Sequence, residues 1–169
     1  SLAGDFIWSL TYTDIATGWT EGRAVWNKGA VDVLREVRDL EKGLPFALLG
    51  LDSDNGGEFI NHHLVAYLGQ RPKPVLFTRA RPCKKNDNAH VEQRNWTHVR
   101  QHFGYERYDN PAVAAPLNAL CKGPLGQLLN HFLPTLQLRE KERVARRIVR
   151  RYGPAQTPDA RVLAAAAVP

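Results

Sequence analysis

Phe46-Ala47-Leu48-Leu49-Gly50-Leu51-Asp52-Ser53-Asp54-Asn55-Gly56-Gly57-Glu58-Phe59 passes from an apolar run of strand length into a glycine turn. The run predicts a strand over Phe46 to Leu51, and a helix follows the turn over roughly Glu58 to Leu68. Asp54 therefore falls at the carboxyl end of a strand, where open α/β sheets gather their chemistry. Asp52, two residues earlier, shares its strand face. Glu58 falls in the first turn of the predicted helix, where an acid complements the helix dipole, so capping competes with any ligand role.

Upstream, Phe6-Ile7-Trp8-Ser9-Leu10-Thr11-Tyr12-Thr13-Asp14-Ile15 is rich in aromatic and β-branched residues and precedes the turn pair Thr17-Gly18 and a second such run, Trp19 to Trp26. This predicts two strands joined by a tight turn. Ala30, Val31, Leu34, Val37 and Leu40 recur at helical spacing and stop at Gly43 and Pro45, marking an amphipathic helix. Downstream, Val75 to Thr78 reads as a further strand, Arg79 to Asn88 as a mobile loop, and a helix is expected from about Ala89. The order is β, β, α, β, α, then β and α again, an α/β domain. After Tyr108 the composition turns to Ala, Leu and Pro with helical spacing through Val113, Leu117, Leu120, Leu125, Leu128 and Leu129.

Glu92 heads a stripe, Glu92, Trp96, Val99, Phe103, spaced by four, three and four. A carboxylate beside three apolar side chains is costly to bury unless it is paired or binds a metal, and these residues leave both options open. His98 and His102 stand at helical spacing and could meet Cys83 or His90, but no four-ligand zinc pattern results, so surface or DNA-facing roles are expected. In His62-His63 one ring could face the core. Lys84, Lys85, Arg94 and Arg100 flank Glu92 and suit phosphate contacts or a solvated loop.

Ser53-Asp54-Asn55-Gly56-Gly57-Glu58-Phe59, followed by Asn86-Asp87-Asn88-Ala89-His90-Val91-Glu92-Gln93-Arg94-Asn95 with 37 residues between Asp54 and Glu92, resembles the catalytic core of retroviral-type integrases and bacterial insertion-sequence transposases. The hairpin ending in Ala16-Thr17-Gly18-Trp19-Thr20-Glu21 adds to the match, which covers about residues 5 to 105. The resemblance implies an RNase H-like fold, a mixed sheet flanked by helices, whose two Asp and one Glu bind two Mg²⁺ or Mn²⁺ ions. Asp54 and Glu92 are the matching catalytic and metal-binding positions. The first Asp would lie on a strand ahead of the hairpin, so this chain is expected to lack that strand. Asp5 and Asp14 are the only acids nearby, and neither sits where the family needs one. The implied reaction is in-line displacement at a DNA phosphodiester, first by water and then by the freed 3′-hydroxyl, in a protein that forms a homo-oligomer on element ends and target DNA. A non-catalytic DNA-binding remnant and a nuclease of the same fold are the rival readings.

Lys and Arg total 23 against 17 acids, and seven of the basic residues lie in 139–151 with only Glu140 and Glu142 between them. Such local density suits a polyanion, although a solvated face has the same composition. If the segment is helical, Arg143, Arg146, Arg147, Arg150 and Arg151 mostly share one side, with Val144, Ile148 and Val149 on the other. About five phosphate contacts would then give a log–log salt slope near −4.5. The expected organisation is a core over 1–108, its helical end over 109–138 and a basic, helical, weakly packed extension over 139–169. Cys83 and Cys121 form no CxxC pattern and are expected to be unpaired thiols. No apolar run approaches membrane-spanning length, and the setting expected is bacterial cytoplasm, at the nucleoid.

Overall fold

The computed structural model describes residues 4–27, 29–53, 62–79, 95–144 and 147–165. β1 (Ile7–Thr13) and β2 (Thr20–Trp26) form the predicted antiparallel hairpin, with Ile7 opposite Trp26 and Thr13 opposite Thr20. Asp14 closes its loop, its carboxylate accepting from the Thr17 amide at 2.8 Å and hydroxyl at 2.6 Å. Gly18 turns the chain at φ 80°, a conformation that favours glycine. Strand alternation sends Leu10 and Val25 to one face, which α1 (Ala30–Gly43) covers with Val33, Leu34 and Val37. Val31, expected on this stripe, is 67% exposed. Val33 takes the inward position instead, because it precedes Val37 by four and Leu40 by seven, whereas Val31 lies about 200° round the helix from it.

β3 (Gly50–Ser53) and β4 (Leu76–Arg79) pair in parallel through α2 (His62–Gly69), a βαβ unit. Leu64 and Leu68 of α2 and Val75 join the same core as the hairpin and α1. β3 begins four residues later than predicted. Its pairing starts where the Leu76 amide donates to the Leu49 carbonyl at 3.1 Å, while Phe46 lies edge-on to Trp19 with ring centroids 6.5 Å apart. Among the described residues the strands form three two-stranded sheets rather than one mixed sheet. The hairpin and the parallel pair share a core, but no ladder joins β1 to β3 there.

Glu41 of α1 fastens α2. Arg71 grips its carboxylate with two N–H bonds of 2.6 and 3.1 Å, and the Tyr67 hydroxyl donates to it at 2.5 Å. Arg71's hydrogen bond holds the Glu41 carboxyl below its usual range, against the opposing effect of burial. A depressed carboxylate pKa contributes stability that is present above the unfolded value of about 4.3 and is lost as pH falls through the folded value. Urea unfolding of the wild type should therefore weaken more steeply below about pH 4.3 than that of Glu41→Gln. Parallel pH profiles for the two proteins would contradict this.

The predicted helical end is present. A π-type segment, Asn95–Arg100, runs into α3 (Gln101–Phe103), and α4 (Ala114–Leu120) continues through helical turns at Cys121–Leu125 and Leu128–Phe132. Gly123 leaves helical geometry just before Pro124, which accounts for the kink there. Cys121, Leu125 and Leu129 form a second cluster with Phe103. Cys121 is a buried free thiol, as expected, and burial pushes its pKa up.

Two amides from this helical layer cap the outer edge of β2. Asn118 accepts from the Ala24 amide at 2.7 Å and donates to its carbonyl at 2.9 Å, and Asn130 does the same at Thr20 with both bonds 2.9 Å. Each side chain takes the place of a neighbouring strand's peptide group.

The extension departs from expectation. Its basic segment is not a helix but an antiparallel hairpin, β5 (Leu138–Val144) and β6 (Arg147–Tyr152), all of whose described residues are exposed. The chain beyond it is not weakly packed. α5 (Pro158–Ala164) returns to the body of the protein, burying Pro158, Arg161 and Val162. Arg161 donates to the Thr17 carbonyl at 3.0 Å, to the Thr135 hydroxyl at 2.9 Å and to the Thr135 carbonyl. These contacts anchor the hairpin's base, a long-range cause that local sequence pattern does not carry. No helix among the described residues is long and apolar enough to cross a membrane.

Candidate functional site

The parallel pair β3–β4 is the described element next to the predicted Asp54 position in sequence. β3 ends at Ser53, which is buried and sits opposite Arg79 at the carboxyl edge of the parallel pair, one residue before Asp54 in the sequence. Asp54 and Glu58 themselves lie outside the described residues, as do Lys84, Lys85, Glu92 and Arg94, together with Cys83, His90 and the predicted loop beyond Arg79, which itself ends β4.

At this edge the described carboxylate is Asp52. It is exposed and accepts a 2.6 Å bond from the Thr78 hydroxyl, a contact that follows from the register placing Asp52 beside Thr78. Thr78 is thus a site-edge residue that sequence reading did not single out. Only strand pairing reveals it, because 25 residues separate the two positions.

The helical segment after Glu92 partly obeys the predicted stripe. Val99 is buried and Phe103 packs on the Cys121 cluster, but Trp96 is 50% exposed and lies against Tyr105, ring centroids 6.3 Å apart. The wider winding of a π-type segment rotates Trp96 away from the face that a 3.6-residue period assigns it. Arg100 covers the Tyr105 ring at 4.7 Å. His98, expected at the surface, is buried with Nδ1 2.7 Å from the Thr97 hydroxyl, whereas His102 is exposed. The two therefore do not converge on one ion. His62 and His63 are both exposed, so neither faces the core.

The hairpin's acids are committed locally. Asp14 holds the Thr17 turn, and Asp5 accepts from the Asn27 side chain at 3.0 Å. Among the described residues no group of three or more His, Cys, Asp or Glu side chains could hold a metal ion. The donor set offered at the carboxyl edge is nonetheless of the right kind for Mg²⁺, since carboxylate and hydroxyl oxygens are hard ligands. A cleft of about 370 Å³ opens instead between the hairpin's other face and the helical layer, lined by Ser9, Thr11, Val99, Phe103, Tyr108 and Cys121 among others. None of its lining residues belongs to β3 or β4.

No family model matches the chain. The chain is 37% identical over 161 residues to the uncharacterized protein y4rM of Sinorhizobium fredii, covering 95% of this chain and 45% of that protein. It thus spans about half the length of that curated relative. Its fold is similar to that of the catalytic core domain of BIV integrase, with a TM-score of 0.49, 20% identity and 75% of each chain covered.

Proposed function

We propose that the chain is the catalytic core of a DNA transposase or integrase, with Asp54 and Glu92 as carboxylate ligands for Mg²⁺ or Mn²⁺. The observation that supports this reading is the sequence position of two motifs next to described elements. Asp54-Asn55-Gly56-Gly57-Glu58-Phe59 follows the last residue of β3, and Asn88-Ala89-His90-Val91-Glu92 precedes the helical segment that starts at Asn95. Held there, the divalent ions would polarise the phosphodiester and favour an ionised attacking oxygen.

The chain's own residues do the positioning. β3, which ends one residue before Asp54 in the sequence, would give that carboxylate a rigid support. Asp52, held by Thr78, adds negative charge to the same edge and so raises its attraction for cations. Lys84, Lys85 and Arg94 supply phosphate contacts that orient the DNA. In this reading the protein works as a homo-oligomer on DNA in the cytoplasm.

One observation favours a non-catalytic DNA-binding remnant instead. Asp5 and Asp14, the acids beside β1, are both engaged in local hydrogen bonds. Mn²⁺ binding, followed by water proton relaxation, separates the two readings, measured on the chain together with whatever its gene encodes ahead of Ser1. The catalytic reading expects binding that Asp54→Asn abolishes, accompanied by Mg²⁺-dependent nicking of duplex DNA. Absence of both metal binding and nicking would leave the remnant, whereas nicking indifferent to Asp54 would remove Asp54 from the site.

A further inference from the structure

The register of β5 and β6 sorts the basic segment by face. Directly opposed residues of an antiparallel pair project to the same side of the ribbon. Glu140 with Arg151, Glu142 with Val149, and Val144 with Arg147 therefore share one face. Lys141 with Arg150 and Arg143 with Ile148 share the other, which continues past the irregularity at Arg139 to Leu138 and Tyr152.

The first face carries two carboxylates and two guanidinium groups, and Arg151 lies 3.5 Å from Glu140. It has no net charge. The second carries Lys141, Arg143 and Arg150 with no acid, and none of the three has an ion pair among the described residues. Arg146 lies outside the described residues. Apart from Arg139, which has no strand partner at the irregularity, the segment's described excess of positive charge stands on one side.

The ribbon is held at its root. The Gly153 amide donates to the Gln137 carbonyl at 2.9 Å, Thr135 and Gln156 exchange bonds of 2.8 and 3.2 Å, and Arg161 clamps Thr135 to the hairpin loop. A charged face on a fixed mount presents its cations together. Lys141 and Arg143 stand about 7 Å apart along their strand, and Arg150 stands directly across from Lys141. A cluster of that extent meets several charges of a duplex, whose strands each carry a phosphate every ~3.4 Å of axis. Arginine's planar fork adds two-point hydrogen bonding to phosphate.

We propose that the acid-free face of the β5–β6 ribbon, through Lys141, Arg143 and Arg150, binds the sugar-phosphate backbone of duplex DNA, and that the face bearing Arg147 and Arg151 does not. The choice of DNA rests on the function proposed above; the choice of face rests on register and charge alone.

Two variants of equal charge change test it: R143Q/R150Q and R147Q/R151Q in the full chain. Fluorescence anisotropy with two unrelated duplexes, across a salt series, reads affinity and salt slope. R143Q/R150Q should weaken binding about 10- to 100-fold for both sequences at physiological salt and reduce the log–log slope by about 1.8. R147Q/R151Q should shift affinity less than about twofold, and K141Q alone should reduce the slope by about 0.9. Equal losses in the two double variants would overturn the face assignment, as would no loss in either. Wild-type chain that binds no duplex at all would instead remove the DNA reading itself. Binding to anionic phosphatidylserine vesicles that depends on Arg143 and Arg150, with no such dependence for DNA, would overturn the nucleic-acid assignment. Both positions are exposed strand sites, and unchanged thermal midpoints will show that the ribbon's parent fold is intact.

Discussion

Glu92→Gln should lower Mg²⁺-dependent DNA cleavage at least ~10³-fold, about 4 kcal/mol of transition-state stabilisation, while leaving duplex binding within about twofold. Glutamine keeps the size of the side chain but removes the charge that holds a hard cation, so the loss belongs to the chemical step. Asp54→Asn should do the same, and the double variant should be little worse than either single one, because ligands of one centre act as a unit. The experiment also decides between the two fates open to Glu92. A buried ion-pair partner would instead give a protein destabilised by about 3–5 kcal/mol, because its cation would be stranded. Cleavage that survives Glu92→Gln in a chain shown to cleave would remove Glu92 from the site.

The second large effect concerns Asn130, which touches no part of the proposed site. It is 1% exposed, and its amide satisfies both the N–H and the C=O of Thr20, itself 3% exposed. Asn130→Ala leaves two buried backbone groups without partners, at about 1–3 kcal/mol each, so a loss of about 2–4 kcal/mol is expected. For a chain of this size that is a fall in Tm of roughly 5–15 °C. Asn130→Asp should be no milder at neutral pH, since it keeps the acceptor but buries a charge and removes the donor. Calorimetry on the two variants checks both statements. A shift under about 1 °C for Asn130→Ala would mean that the β2 edge finds other partners.

Much of the fold was legible because it is local. Alternating aromatic and β-branched residues from Phe6 to Trp26 specify two strands, and the positions from Leu34 to Leu40 specify a helix whose buried face the structure confirms. The βαβ unit was legible for the same reason, apart from the start of β3, which depends on where β4 can first pair. The candidate site was read from motif alone: Asp54 and Glu92 come from their sequence neighbours, and the described structure supplies the strand end before one and the helical segment after the other.

What local pattern did not contain were partners far apart in the chain. Arg, Lys and Glu are good helix formers, so Arg139 to Arg151 reads as a helix on propensity, and the hairpin wins through cross-strand pairing and a base tied to Thr17 by Arg161, 144 residues away. Asn118 and Asn130 reach backbone 94 and 110 residues distant. By itself the sequence determined the element types of the hairpin, α1 and the βαβ unit, the two acid-bearing motifs and the clustering of positive charge, because these follow from periodicity and neighbouring residues. The tertiary structure alone decided which face of the basic ribbon is free of acid, which polar side chains cap the sheet edge and which apolar residues turn outward, because a side chain's partner depends on register and packing between segments that share no local pattern.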